Sequence, residues 1–252
     1  MQLLARCAAW LLLASCVHAS RFVIMRHGET NHNSLGIIQG SSDVSRLTEQ
    51  GLEQARSAGV ALAGLADISI NRVFVSPLTR AQQTLDACAG TYSSFFFSSL
   101  PPATVVPELR EIDLGSWEGQ DKQILKANCP DAYAAWQRAP LAFEIDGGTL
   151  PIVDLWARAA VAWEKMHEEA DGDEDSAVLV VTHNALGQAL LCTALELDET
   201  HFRKHEFANC AALEIDWPRD RPKARGWRWR VGPKAGDLAE SETGDTVSGD
   251  GW

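Results

Sequence analysis

Four consecutive apolar positions, Phe22-Val23-Ile24-Met25, run without interruption into Arg26-His27-Gly28. An unbroken apolar run closed by a glycine reads as a strand buried on both faces, so charged residues fall where the chain leaves a sheet. Residues 72–76 repeat the pattern, and Pro77 follows where a helix can begin because its missing N–H costs nothing there. Residues 177–182 are the clearest buried strand, followed by His183, Asn184 and a helical run over 185–196. Shorter strands are expected over 103–106, 211–217 and 227–231.

Between the strands, apolar positions recur at helical spacing. Leu52, Ala55, Gly59 and Leu62 share one face of a helix that Thr48 can cap. Leu78, Ala81, Leu85 and Cys88 or Ala89 mark a second helix, and Leu155, Ala159, Ala162 or Val161, and Met166 a third. The serine, phenylalanine and proline stretch over 92–102 breaks the pattern. Residues 29–46 form a polar loop too long for a simple turn, which suits the wall of a site. From about 108 to 148 the pattern is irregular, with Trp117, Trp136 and weak helical periodicity over 122–138, and reads as a helical insertion. Alternation of strands with helices predicts an α/β fold, a three-layer α/β/α sandwich. Its sheet is expected to be largely parallel, with helices on both faces and the insertion lying over the C-terminal ends of the strands.

Composition narrows the partners. A chain of 252 residues with 46% apolar content can bury a full core. A formal charge of -12 argues against a nucleic-acid surface, which needs clustered Lys and Arg. Part of that charge is local, in the acidic turn of Asp171, Asp173, Glu174 and Asp175 and in a tail over 232–252 expected to be disordered. Arg6 precedes an apolar run over 8–17, with small residues before Ser20, so residues 1–19 read as a signal or targeting peptide ahead of a domain over 20–231. The run is too short to span a bilayer comfortably, so no stable membrane span is expected once the leader is removed. Such a leader implies the secretory pathway or, as a targeting leader, a plastid. Cys88, Cys129, Cys192 and Cys210 lie outside the leader, with no Cys-x-x-Cys pair and no histidine at metal-ligand spacing, so free thiols and no metal site are expected.

Three strand exits carry chemistry: Arg26 with His27, Arg80 in the first turn of the helix after the second strand, and His183. Parallel strands place their C-terminal edges on one side of a sheet, so these residues should converge. Arginine forks and helix N-termini hold phosphate oxygens. A neutral His27 can attack phosphorus in line, and His183, if protonated near the anion that the two arginines hold, would add a further cation. The leaving alkoxide needs a proton donor, and spacing alone leaves Glu108, Glu111, Asp113 and Glu118 open.

These residues carry a resemblance. Arg26-His27-Gly28-Glu29-Thr30 with Asn33, Gln39-Gly40, Leu47-Thr48-x-x-Gly51, Ser76-Pro77-Leu78-x-Arg80-Ala81-x-Gln83-Thr84, Leu109-Arg110-Glu111 leading to Gly115-x-Trp117-Glu118-Gly119, and Thr182-His183 together resemble the histidine phosphatase superfamily, the phosphoglycerate mutase-like family, in its first branch. The resemblance implies His27 as nucleophile, with Arg26, Arg80 and His183 around the phosphate and Glu111 as proton donor. Asn33 and Asn184 would contribute to substrate binding, with no cofactor. Residues 182–191, with Leu155-Trp156-x-Arg158 and Phe202-Arg203, are similar to the 2-carboxy-D-arabinitol-1-phosphatase subgroup of plants and algae. That similarity implies a small sugar or sugar-acid phosphate as substrate. The resemblance thus points to a metal-independent phosphomonoesterase working through phosphohistidine. A mutase-type phosphoryl transfer and a non-catalytic phosphoryl-binding protein are the alternatives, and the oligomeric state is left open.

Overall fold

The computed structural model describes residues 21–96, 99–170, 176–218, 221–232 and 238–239. The expected leader, the acidic turn over 171–175 and most of the tail lie outside the described residues. One sheet organises the rest. Its strands are β1 (Arg21–Arg26), β2 (Ser69–Val75), β3 (Ala103–Val105), β4 (Ser176–Thr182), β5 (Ala212–Asp216), β6 (Gly226–Val231) and β7 (Leu238–Ala239), in the order β3-β2-β4-β1-β5-β6-β7. The first four run parallel; β5, β6 and β7 continue antiparallel. The sheet is therefore mixed, with its parallel part where the site chemistry was expected. The two-residue β7 pairs with Trp227 and Arg228, so at this point the tail expected to be disordered adds an edge strand.

Helices cover both faces. α2 (Glu49–Ala63) and α3 (Thr79–Phe96) pack on one, burying Ala55, Leu62, Leu85 and Cys88 against Val23, Met25, Leu179 and Val181. α6 (Pro151–Glu169) and α7 (Asn184–Ala194) pack on the other, burying Leu155, Ala159, Leu186 and Leu190 with Phe22, Ile24, Val178 and Val180. Strand residues alternate between the two clusters because successive side chains point to opposite faces. Each fully buried Leu or Phe contributes about 2–3 kcal/mol in transfer terms, so the central strands are the stiffest part of the molecule.

Two departures from the sequence pattern have local causes. α3 does not stop before Tyr92: Tyr92 is buried, and the Ser93 and Ser94 hydroxyls donate to the carbonyls of Ala89 and Gly90 one turn back. In the loop over 29–46, Thr30 and Asn33 form a capping box around a single turn, α1 (Asn31–Ser34).

The insertion consists of 3-10 turns at Pro107–Leu109, Gly115–Trp117 and Pro140–Ala142 with the helices α4 (Lys122–Asn128) and α5 (Pro130–Arg138). Asp121 caps α4 by accepting the N–H groups of Gln123 and Ile124. The insertion is tied to the first loop by backbone bonds: Ile38 N to Gln120 O at 2.9 Å, Gly119 N to Ile38 O at 2.8 Å and Lys122 N to Gly36 O at 3.1 Å. Trp117, Trp136, Phe143 and Phe202 cluster beneath it, with the Arg203 guanidinium 4.7 Å from the Trp136 ring. Among the described residues, no helix is long and apolar enough to cross a membrane.

Candidate active site

Strand register sets the site. β1 pairs with β4 so that Arg26 lies opposite Thr182, and the next residues, His27 and His183, emerge side by side with ring centroids 5.2 Å apart. β2 pairs with β4 so that Val75 lies opposite Val181, which delivers Ser76 to the other flank of His183. The backbone continues the ladder one step past the strands, His27 N to Thr182 O at 2.9 Å and Ser76 N to Val181 O at 3.0 Å. Arg-His-Gly requires its glycine: a Cβ on Gly28 would lie 2.5 Å from Gly51 O, where α2 begins. Gly28 N donates to Thr84 Oγ1, which in turn donates to Arg80 O.

A cleft of about 40 Å³ opens over these strand ends, lined by Arg26, His27, Asn33, Gln39, Gly40, Arg80, Glu111 and Lys122, with Ile37 and Ile38. The volume suits a few waters or one small anion. His27 Nδ1 lies 2.7 Å from Gly28 O. A carbonyl only accepts, so Nδ1 carries the proton and the Nε2 lone pair is free for chemistry. Burial, then the charges of Arg80 and Arg26, hold the His27 pKa well below the ordinary histidine value, against the opposing pull of the Gly28 carbonyl.

Burial, then Arg80, His27, Arg158 and Arg26, hold the His183 pKa well below the ordinary value as well, so a positive charge on it would have to come with a bound anion. Its Nε2 lies 2.7 Å from Ser76 Oγ, and its buried Nδ1 has no protein partner.

Both arginines are aimed by carbonyls. Arg26 Nη1 donates to Phe207 O at 2.7 Å; Arg80 donates to Ser42 O at 2.8 Å and Gly40 O at 2.7 Å. Burial lowers the Arg80 pKa to about 10, opposed first by Glu111, so it remains charged at neutral pH. Asp43 accepts the N–H and hydroxyl of Thr79, capping the helix on which Arg80 is the second residue.

The four carboxylates left open by spacing now separate. Glu108 pairs with Lys165, Asp113 accepts from Gly115 N, and Glu118 accepts from the loop over 40–42. Only Glu111 of the four lines the cleft. Its Oε1 accepts Ile112 N at 2.9 Å and Leu186 N at 3.1 Å, and its Oε2 accepts Ala185 N at 3.2 Å, which places it at the N-terminus of α7. Asn33 lines the cleft while its Oδ1 accepts from Thr30. Neither His183 nor Asn184 lines it. Asn184 Oδ1 accepts Phe207 N at 2.9 Å and Gln188 Nε2 at 3.3 Å, so it supports the loop whose carbonyl aims Arg26.

Sequence reasoning passed over Lys122 and gave Ser76 no role of its own. Lys122 opens α4 and reaches the cleft, where burial and then Arg26 lower its pKa while Glu206 raises it. Its signal was slight, a lysine directly after the capping Asp121. Ser76, fully buried, was read as the end of a strand.

The chain belongs to the histidine phosphatase superfamily (branch 1), whose model matches residues 22–230. It is similar to a 2-carboxy-D-arabinitol-1-phosphatase of Triticum aestivum, 37% identical over 207 residues covering 81% of this chain. The chain spans 38% of the length of that relative and of a similar Arabidopsis thaliana protein. It is also similar to a metal-independent phosphoserine phosphatase of Arabidopsis thaliana, 32% identical over 171 residues, covering 68% of this chain and 67% of the relative. Among solved structures, a mycobacterial glucosyl-3-phosphoglycerate phosphatase in complex with VO3 superposes with a TM-score of 0.68 at 26% identity, over 86% of this chain and 100% of that one.

Proposed function

We propose that the protein is a metal-independent phosphomonoesterase that hydrolyses a small sugar or sugar-acid phosphate through phosphohistidine. The observation that carries the reading is His27: a neutral imidazole whose proton is committed to Gly28 O, on the wall of a cleft shared with Arg26, Arg80 and Glu111. In the first step Nε2 attacks phosphorus in line, the N–P bond forms, and the ester P–O bond breaks. Arg26, Arg80 and the His183 Nδ1 side of the site stabilise the charge on the equatorial oxygens. Glu111, in its protonated form, gives its proton to the departing alkoxide. In the second step Glu111 takes a proton from water, which attacks phosphorus and releases inorganic phosphate, restoring neutral His27.

Lys122 supports the substrate class. A third cation on the wall of so small a cleft exceeds what one phosphoryl group requires once two arginines hold it, and matches a metabolite with a second anionic group such as a carboxylate. The phosphatase names of the relatives point the same way. The test is phosphate release from a panel of sugar, sugar-acid and amino-acid phosphates, with and without EDTA. Release that survives chelation and vanishes in His27→Ala supports the reading; isomerised product without free phosphate would favour a mutase, and release unchanged in His27→Ala would defeat it.

A further inference from the structure

Glu118 takes no part in the chemistry above, yet three backbone N–H groups from two separate segments converge on its carboxylate. Oε1 accepts Ser41 N at 2.6 Å and Leu114 N at 3.1 Å, and Oε2 accepts Ser42 N at 2.9 Å. The Gly40-Ser41-Ser42 turn so gripped presents its carbonyls on the other side. Gly40 O and Ser42 O receive Arg80 Nη2 and Nη1, and Ser41 O receives Arg110 Nη2 at 3.0 Å. Gly40 has a φ of 53°, in the left-handed region, and a Cβ there would lie 2.1 Å from Glu118 Oε1. The turn and the carboxylate are therefore fitted to each other.

We propose that Glu118 is the positioning residue for Arg80, fixing the direction of its guanidinium through the peptide groups of Gly40 and Ser42. The indirect arrangement has a physical advantage. Among the described residues, Arg80 has no carboxylate within ion-pair distance; its two terminal nitrogens rest on neutral carbonyls. A carboxylate bonded directly to the guanidinium would compete with the phosphate it is there to hold. A carboxylate one peptide removed fixes the same geometry and leaves the charge available. Glu118 also lies at the end of the turn Gly115–Trp117, so the aim of a residue on α3 is set by the insertion.

The inference rests on Arg80 being a phosphate ligand, and the experiment reads that separately. Calorimetric titration of inorganic phosphate is made on the full chain, Arg80→Ala, Glu118→Ala and the double variant. Arg80→Ala is expected to weaken phosphate binding about 100-fold and Glu118→Ala about 10-fold, with the double variant within about 2-fold of Arg80→Ala, since residues acting through one group are not additive. A full further 10-fold loss in the double variant, or no loss in Glu118→Ala, overturns the positioning role while leaving Arg80 as ligand. No loss in Arg80→Ala overturns both. Should Glu118→Ala fail to fold, Glu118→Gln enters the same cycle. Its amide oxygen still accepts from Ser41 and Leu114 but its NH2 opposes Ser42 N, so an intermediate loss that disappears without Arg80 is expected, and an equal loss in both backgrounds overturns the inference.

Discussion

The floor of the site and its roof are built on different physics. The floor is strand ends: His27, Arg26 and His183 project from β1 and β4, which are held by a parallel ladder and buried on both faces. The roof is loop and insertion, where Gly36, Ile38 and Gly40–Ser42 meet Gln120, Lys122 and Glu118 through scattered backbone bonds and one multiply engaged carboxylate. A rigid floor holds groups that must act on phosphorus to within a fraction of an ångström. A roof of short segments can be reshaped without unfolding the sheet, which assigns the nucleophile to the floor and leaves the roof to aim Arg80 and to choose the substrate.

The largest effect that would sharpen this division is expected at Glu111, where floor and roof meet. Glu111→Gln keeps an oxygen for the α7 N–H groups but has no proton to give, so kcat for an alkyl phosphate should fall about 100- to 1,000-fold. For p-nitrophenyl phosphate, whose leaving group needs no proton, the fall should be much smaller; equal losses on both substrates would remove Glu111 from proton transfer.

The floor should also reveal itself in stability against pH. His27 and His183 are both held well below the ordinary pKa, so between that value and their own the unfolded chain binds protons that the native chain refuses. Their contribution is complete above the unfolded pKa and is lost as pH falls below it, at about 1 kcal/mol per histidine for each unit. Chemical denaturation at pH 7.5 and 5.5 should show this loss, and it should shrink in His183→Asn. A stability that rises on acidification would contradict the depressed values.

At the roof the expected effect is smaller and selective. Lys122→Ala should reduce kcat/KM about 10-fold for a substrate bearing a carboxylate beside its phosphate, and change p-nitrophenyl phosphate turnover by no more than about 3-fold. Equal losses on both would make Lys122 part of the phosphate grip rather than a selector.

The same division governs what the sequence revealed. Runs such as Phe22-Val23-Ile24-Met25 have one physical meaning, and parallel pairing then brings their ends together, so Arg26, His27, Arg80 and His183 were legible before any coordinates. The antiparallel edge was not, because β5 and β6 show the same apolar character whichever way they run. Nor was the orientation of Asn184: its place after His183 is explicit in the sequence, but the bond to Phe207 N that holds it depends on a loop about 23 residues downstream. The protonation of His183 depends on full burial near three arginines and His27, which is a property of the packed site. Lys122 and Glu118 act across the interface between two irregular segments, where neither period 2 nor period 3.6 carries information.

The proposed phosphohistidine gives the most direct test. Turnover of a 32P-labelled phosphomonoester is quenched in alkali, where phosphohistidine survives, and the labelled peptide is mapped by mass spectrometry. The mechanism requires acid-labile label on His27 that forms and decays within the turnover time and is absent from His27→Ala. Turnover with no labelled protein at any time, or label on another residue, would contradict it.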